Sequence, residues 1–246
     1  MSKRSFGAIA GLAAAGLLLA ACGGSGGDAA SSSAAPTSAA PESSSAEPAP
    51  EPVAAKVGVI LPDAASSARW ETADRPFLEQ AFQAAGVEYD IQNANGDKAK
   101  FATIADQMLA SGINVLMLVN LDSPSAAAVI AKADAQGVPT IDYDRLTLGG
   151  GAQYYVSFDN VAVGTKIGEG LVTCMQNNGN DAGPVVLLNG SPTDNNATLF
   201  KEGYEKVITD AGYTVAADQS VPDWDNTKAG TIFEQIYTEV GGDLIG

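Results

Sequence analysis

Residues 56–92 read KVGVILPDAASSARWETADRPFLEQAFQAAGVEYDIQ. Val57 to Leu61 is a short apolar run of the kind that forms a buried parallel strand. Pro76 to Ala85 then carries Phe77, Ala81, Phe82 and Ala85 at helical spacing, with Pro76 near the start and Gly86 behind. Val87 to Gln92 predicts a second strand. Strand, helix and strand in this order predict parallel pairing under a helical layer.

The rhythm continues downstream. Phe101 to Ala110 predicts a helix with Phe101, Ile104, Ala105, Met108 and Leu109 on one stripe, closed by Gly112. Val115 to Val119 predicts a third strand. Ser123-Pro124 is a helix start, a capping residue followed by proline, and that helix runs to Gln136. Val138 to Tyr143 and Gln153 to Phe158 predict two more strands, the second after Gly149-Gly150-Gly151. A helix follows over 161–175, where Gly164, Gly168 and Gly170 are expected to allow close packing on the sheet. After a polar, Gly-rich break at 177–183 the pattern restarts: strand 185–188, helix 199–211, strand 213–217, helix 227–240, and a further strand opening at 243–245. The expected fold class is α/β, with two doubly wound parallel-sheet lobes over 56–178 and 179–246. Because a strand is only opening at Gly246, the second lobe is expected to be truncated, and the chain a fragment.

The first 55 residues read differently. Lys3 and Arg4 precede an apolar run from Gly7 to Ala21, which is short for a membrane span and fits a signal peptide over 1–21. The run ends Leu19-Ala20-Ala21-Cys22-Gly23, which resembles a bacterial lipobox with Cys22 as the lipidated residue. Residues 22–55 are then a Ser-, Ala- and Pro-rich stalk without apolar residues enough to order it. The implied location is extracytoplasmic, lipid-anchored at the outer face of the cell membrane, or the periplasm.

Composition excludes several classes. A formal charge of -16 disfavours nucleic acid and anionic surfaces as partners. With no histidine in the chain, Ser-His-Asp and Cys-His catalysis are out of reach. Two cysteines cannot build a structural zinc site. Cys174, left without a disulfide partner, is expected to be a core thiol. No phosphate-cradling Gly-Lys-Ser/Thr motif or calcium loop is present, so no cofactor is expected.

In open parallel sheets ligands bind beyond the carboxyl ends of the strands. The segments there are Ser66-Ser67-Ala68-Arg69-Trp70, Asn120-Leu121-Asp122, Asp144-Arg145, Asp159-Asn160, Gly190 to Asn196, and Pro222 to Asn226. They are rich in Asp, Asn, Arg and Trp. Carboxylates, amides and guanidinium groups satisfy sugar hydroxyls, which donate and accept together. Trp70 and Trp224, one per lobe, offer planes for the apolar face of a sugar ring. Structural readings stand beside these: Trp70 as a helix-start staple, Trp224 as a loop anchor, Asp144 as a turn cap paired with Arg145 or Arg75, and Asp194-Asn195-Asn196 and Asp159-Asn160 as helix caps.

Several stretches together resemble the type I periplasmic sugar-binding proteins, and among them the D-xylose-binding branch. They are Ala68-Arg69-Trp70, Asn93 to Gly96, Asp142-Tyr143-Asp144-Arg145, Tyr155 to Asn160, Gly190 to Ala197 and Asp223-Trp224. The resemblance implies ligand contacts from Arg69, Trp70, Asp144 and Arg145 in the first lobe. It implies contacts from Asn196, with Asp194 or Asn195, in the second, and stacking by Trp224. It also implies a monosaccharide ligand, hinged closure, delivery to an ABC transporter permease, no enzymatic activity and a monomer. A sugar sensor, a doubly wound sugar enzyme and a repressor effector domain are the competing readings. The missing histidine counts against the enzyme, and the absence of a helix-turn-helix pattern counts against the repressor.

Overall fold

The computed structural model describes residues 54–246. The expected signal segment, Cys22 and all but the last two residues of the expected stalk lie outside the described residues. Among the described residues no helix is long and apolar enough to cross a membrane.

The first sheet is parallel throughout. Strands β1 (Lys56–Leu61), β2 (Glu88–Asn93), β3 (Val115–Leu118), β4 (Thr140–Tyr143) and β5 (Tyr154–Val156) stand in the order β2-β1-β3-β4-β5. The most apolar strands, β1 and β3, pair in the middle, with Val57 opposite Val115 and Ile60 opposite Leu118. One face is covered by α2 (Lys98–Ala110) and α3 (Ser123–Asp134), which bury Phe101, Met108 and Ile130 against Ile60, Leu116 and Leu118. Each such side chain removed from water contributes on the order of 1.5–3 kcal/mol. Gly58 lets α2 come close, because a Cβ there would stand 2.9 Å from the Met108 sulfur. Asp97 caps α2 through Ala99 and Lys100 N–H, so the helix starts three residues before the expected Phe101.

The other face carries α1 (Arg75–Ala85), entered through a wide π-type turn over Trp70–Asp74. Its inner side differs from the expectation. Leu78 and Phe82 pack on the cluster of Val57, Val59, Leu61 and Trp70, whereas Phe77 is 68% exposed and Ala81 and Ala85 face solvent.

Beyond β5 the chain enters α4 (Asn160–Asn177), β6 (Pro184–Asn189), α5 (Asn195–Asp210), β7 (Thr214–Ser220) and α6 (Asn226–Val240). Strands β6 and β7 form a second parallel sheet. No strand is assigned over 243–245. Two ladder-like bonds nevertheless run beside β6, from Ile245 N–H to the Pro184 carbonyl (3.1 Å) and from Val186 N–H to the Gly246 carbonyl (3.0 Å).

Helix α4 packs with the second sheet and α5, its Leu171, Val172 and Met175 clustering with Val185 and Leu187 of β6 and Ile208 of α5. The packing boundary therefore falls between β5 and α4, ahead of the expected break at 177–183. Gly164 and Gly168 of α4 meet α5 rather than a sheet: a Cβ on Gly164 would stand 2.2 Å from the Phe200 carbonyl oxygen, and one on Gly203 of α5 would stand 2.3 Å from that of Val161. Gly170 faces open space. Cys174 lies on the outer side of α4 and is exposed, not a core thiol, because the buried stripe of the helix is Asn160, Gly164, Gly168 and Met175.

This contact predicts opposite signs at two glycines. Gly203→Val should destabilise the protein by at least ~1–3 kcal/mol by wedging α4 from α5. Gly170→Ala should stabilise it by about 0.5–1 kcal/mol through helix propensity. Urea unfolding midpoints of the two variants check this.

Candidate functional site

The turn after β4 carries the first half of the site. Asp142, fully buried, accepts from Thr147 N–H (2.7 Å) and Thr147 Oγ1 (2.7 Å). Asn120, at the end of β3, donates to Thr147 Oγ1 (3.0 Å) and the Arg145 carbonyl (3.2 Å), and its own carbonyl accepts from Arg145 Nη1 (3.1 Å). This frame holds Asp144 at φ +67°, a conformation that non-glycine residues rarely adopt unless their surroundings impose it. The Asp144 carbonyl accepts from Tyr155 Oη (3.1 Å), Ser157 Oγ (2.9 Å) and Asn196 Nδ2 (3.0 Å).

Arg69 reaches Asp144 Oδ2 at 2.5 Å and Asp74 at 3.3 Å. Its guanidinium lies 4.0 Å over the Trp70 ring. Asp144 therefore pairs with Arg69, while Arg75 pairs with Glu71. Trp70 is buried, and its indole N–H has no acceptor. Tyr143 Oη donates to Asp74 (2.6 Å), and burial with that neighbouring charge raises the tyrosine pKa.

The second half begins at Asp194, the N-cap of α5, whose Oδ1 accepts from Asn196 N–H (2.9 Å). The capping reading and the site reading both hold for this residue. Its Oδ2 accepts from Trp224 Nε1 (3.0 Å) and pairs with Arg145 Nε (3.0 Å), and both charged side chains are less than a tenth exposed. Asn196 Nδ2 reaches across to Asp144 Oδ1 (3.2 Å). Trp224 lies against Gly190, where a Cβ would stand 2.0 Å from the ring. Asp223 and Trp224 both have positive φ, 59° and 56°.

Between the two halves lies an open cavity of about 290 Å³. It brings together Arg69, Trp70, Asp144, Arg145, Asp194, Asn196 and Trp224 of the eight expected residues. Asn195, the first residue of α5, is not among its walls. Phe158 and Phe200 were missed as wall residues, and their rings stack at 6.0 Å. Phe200 lies four residues beyond Asn196, one helical turn along the same face, and that spacing was the available signal. A second cavity of about 320 Å³ adjoins the first and shares Ser66, Arg145, Asp194 and Trp224 with it. Aromatic walls around paired charges and amides suit a neutral polyhydroxylated molecule.

Two α/β halves facing each other across such a cleft define the architecture of type I periplasmic binding proteins. Residues 57–246 match the periplasmic binding protein domain family. The chain belongs to that family. It is 32% identical over 187 residues to the D-xylose-binding periplasmic protein of Haemophilus influenzae, covering 74% of this chain and 54% of that protein. It is 34% identical over 154 residues to a multiple sugar-binding periplasmic protein of Azospirillum brasilense, covering 62% and 43%. An ABC transporter solute binding protein from Clostridium phytofermentans with bound β-D-glucose superposes with a TM-score of 0.70 at 27% identity, over 77% of this chain and 62% of that one. The chain thus spans about half the length of the curated relatives it matches.

Two outcomes follow from the site's electrostatics. Asp194→Ala leaves a buried guanidinium and an indole N–H unpaired, and should cost about 3–5 kcal/mol. Asp194→Asn, which keeps one acceptor, should cost less; chemical denaturation of both variants checks this. Burial raises the Asp142 and Asp144 carboxyls above the ordinary value, more than Thr147 or the arginines lower them. A raised folded pKa means that the native state holds its proton more tightly than the unfolded chain. Stability from Asp142 therefore falls as pH rises above about 3.9, and the stability of Asp142→Asn relative to wild type should rise over that range in urea unfolding.

Proposed function

We propose that the protein is the extracytoplasmic solute-binding component of an ABC-type importer, holding a xylose-like aldose between its lobes and delivering it to a membrane permease. The observation that carries this reading is the meeting of Asp144 and Arg145 with Asp194 and Asn196 across the cleft, between Trp70 and Trp224. Hydroxyls need donors and acceptors together, and this set supplies guanidinium, carboxylate and amide groups within one small volume. The ring's apolar face has four aromatic side chains to meet: Trp70, Phe158, Phe200 and Trp224.

Among the described residues the backbone passes between the halves at 157–159, between β5 and α4. A short link of this kind suits hinged closure on the ligand. Arg145, Asp194 and Asn196 would then exchange partners with each other for partners on the sugar. The protein works as a monomer tethered through lipidated Cys22, with the segment up to residue 55 as signal and stalk. It binds its sugar without chemical change.

Intrinsic tryptophan fluorescence of the full-length protein, titrated with D-xylose, D-ribose, L-arabinose, D-glucose and D-galactose, tests the reading. A saturable change with one or more of these supports it. No change with any, from a protein that melts cooperatively, overturns it. Trp224→Ala should weaken the responding sugar by about 2 kcal/mol, roughly 30-fold, as loss of a central aromatic contact does; calorimetric titration of the variant checks this.

A further inference from the structure

One aldose in the aromatic cavity leaves the adjoining 320 Å³ cavity unused. That cavity continues from the aromatic one toward the turns after β2 and β7. Strand β2 is the outer edge of the first sheet, and β7 pairs with β6 in the second. Its walls include Asn95 and Gly96 from the turn after β2, and Asp223 and Asp225 from the turn after β7. Both halves of the chain therefore build it. Asn95 and Asp223 have positive φ, at 56° and 59°. Together with Asp144 and Trp224 they are the non-glycine residues of that kind among the described residues, and all four line one cavity or the other.

The chemistry of the walls selects a ligand class. Four carboxylates line the cavity, from Asp63, Asp194, Asp223 and Asp225, against two cations, Lys98 and Arg145. Both cations are already paired, Lys98 with Asp122 and Arg145 with Asp194. A phosphate or uronate would meet excess negative charge and no uncommitted cation. A neutral hydroxylated ring would meet hydroxyls of Ser66, Ser191 and Thr193, the amide of Asn226, and the Trp224 ring.

We propose that this polar cavity is a second carbohydrate subsite, one that takes a neutral pyranose unit. The unit is either the second ring of a disaccharide or a second free monosaccharide. The inference rests on the carbohydrate reading of the aromatic cavity.

Isothermal titration of the full-length protein with D-xylose, xylobiose, D-glucose and cellobiose separates the two sources. A disaccharide bound one to one, at least tenfold tighter than its monomer, assigns the subsite to a linked ring. Two equivalents of monosaccharide assign it to a free one. Asn226→Trp should fill the cavity from an exposed position at the start of α6. It should remove the disaccharide gain, or the second equivalent, and leave the first monosaccharide equivalent within about twofold. Thr227→Tyr, made in parallel, serves if Asn226→Trp fails to fold. One equivalent of monosaccharide with no tighter disaccharide overturns the subsite, as does a gain that survives both variants. Absence of all sugar binding by the folded wild-type protein overturns the aldose reading itself, and that result is distinct from the others.

Discussion

The Asp194 carboxylate is placed where three demands meet, and the cleft depends on its satisfying all of them. One oxygen caps α5, through Asn196 N–H. The other accepts from Trp224 and pairs with Arg145 of the opposite half. A buried guanidinium without a carboxylate is costly, so Arg145 ties the turn after β4 to the start of α5. Asn196, oriented by the same cap, then reaches Asp144. Each of these groups would be poorly placed alone; the pair and the cap together bring polar atoms from both halves within reach of one small molecule.

That arrangement needs a rigid floor on each side. In the first half the floor is the turn held by Asn120, Asp142 and Thr147, which keeps Asp144 in a backbone conformation it would not choose. In the second half it is the contact of α4 with α5. Glycines at 164, 168 and 203 let the two helices touch backbone to backbone, so the start of α5, and Asp194 with it, is fixed relative to the link that leaves β5. Packing at this distance transmits position well because little in it can slide. The strained residues gather in the cleft loops, where such supports surround them.

Much of the fold was legible because its signals are local. Apolar runs at Val57 and Val115, the Ser123-Pro124 start, and glycines after helices each report on a few neighbouring residues. The failures share one cause. Phe77 was expected inside and is exposed, Cys174 was expected in the core and is outside, and of the α4 glycines expected to face a sheet Gly164 and Gly168 face α5 and Gly170 faces open space. Helical spacing says which residues share a face, not which face another element will cover. Likewise, nothing in residues 160–177 says which sheet that helix will join.

The sequence by itself determined the alternation of strands and helices, the parallel sheet class, the loops beyond the strands' carboxyl ends, and the residue types gathered there. These follow from periodicity, chain stiffness at glycine and proline, and the handedness of βα connections. Only the tertiary structure decided who pairs with whom: Arg69 rather than Arg75 with Asp144, Arg145 with Asp194, Trp224 upon Gly190, and Phe200 in a wall no motif announced. Such choices depend on distances between segments far apart in the chain. They are set by how two separate halves approach, and no local pattern of residues encodes that approach.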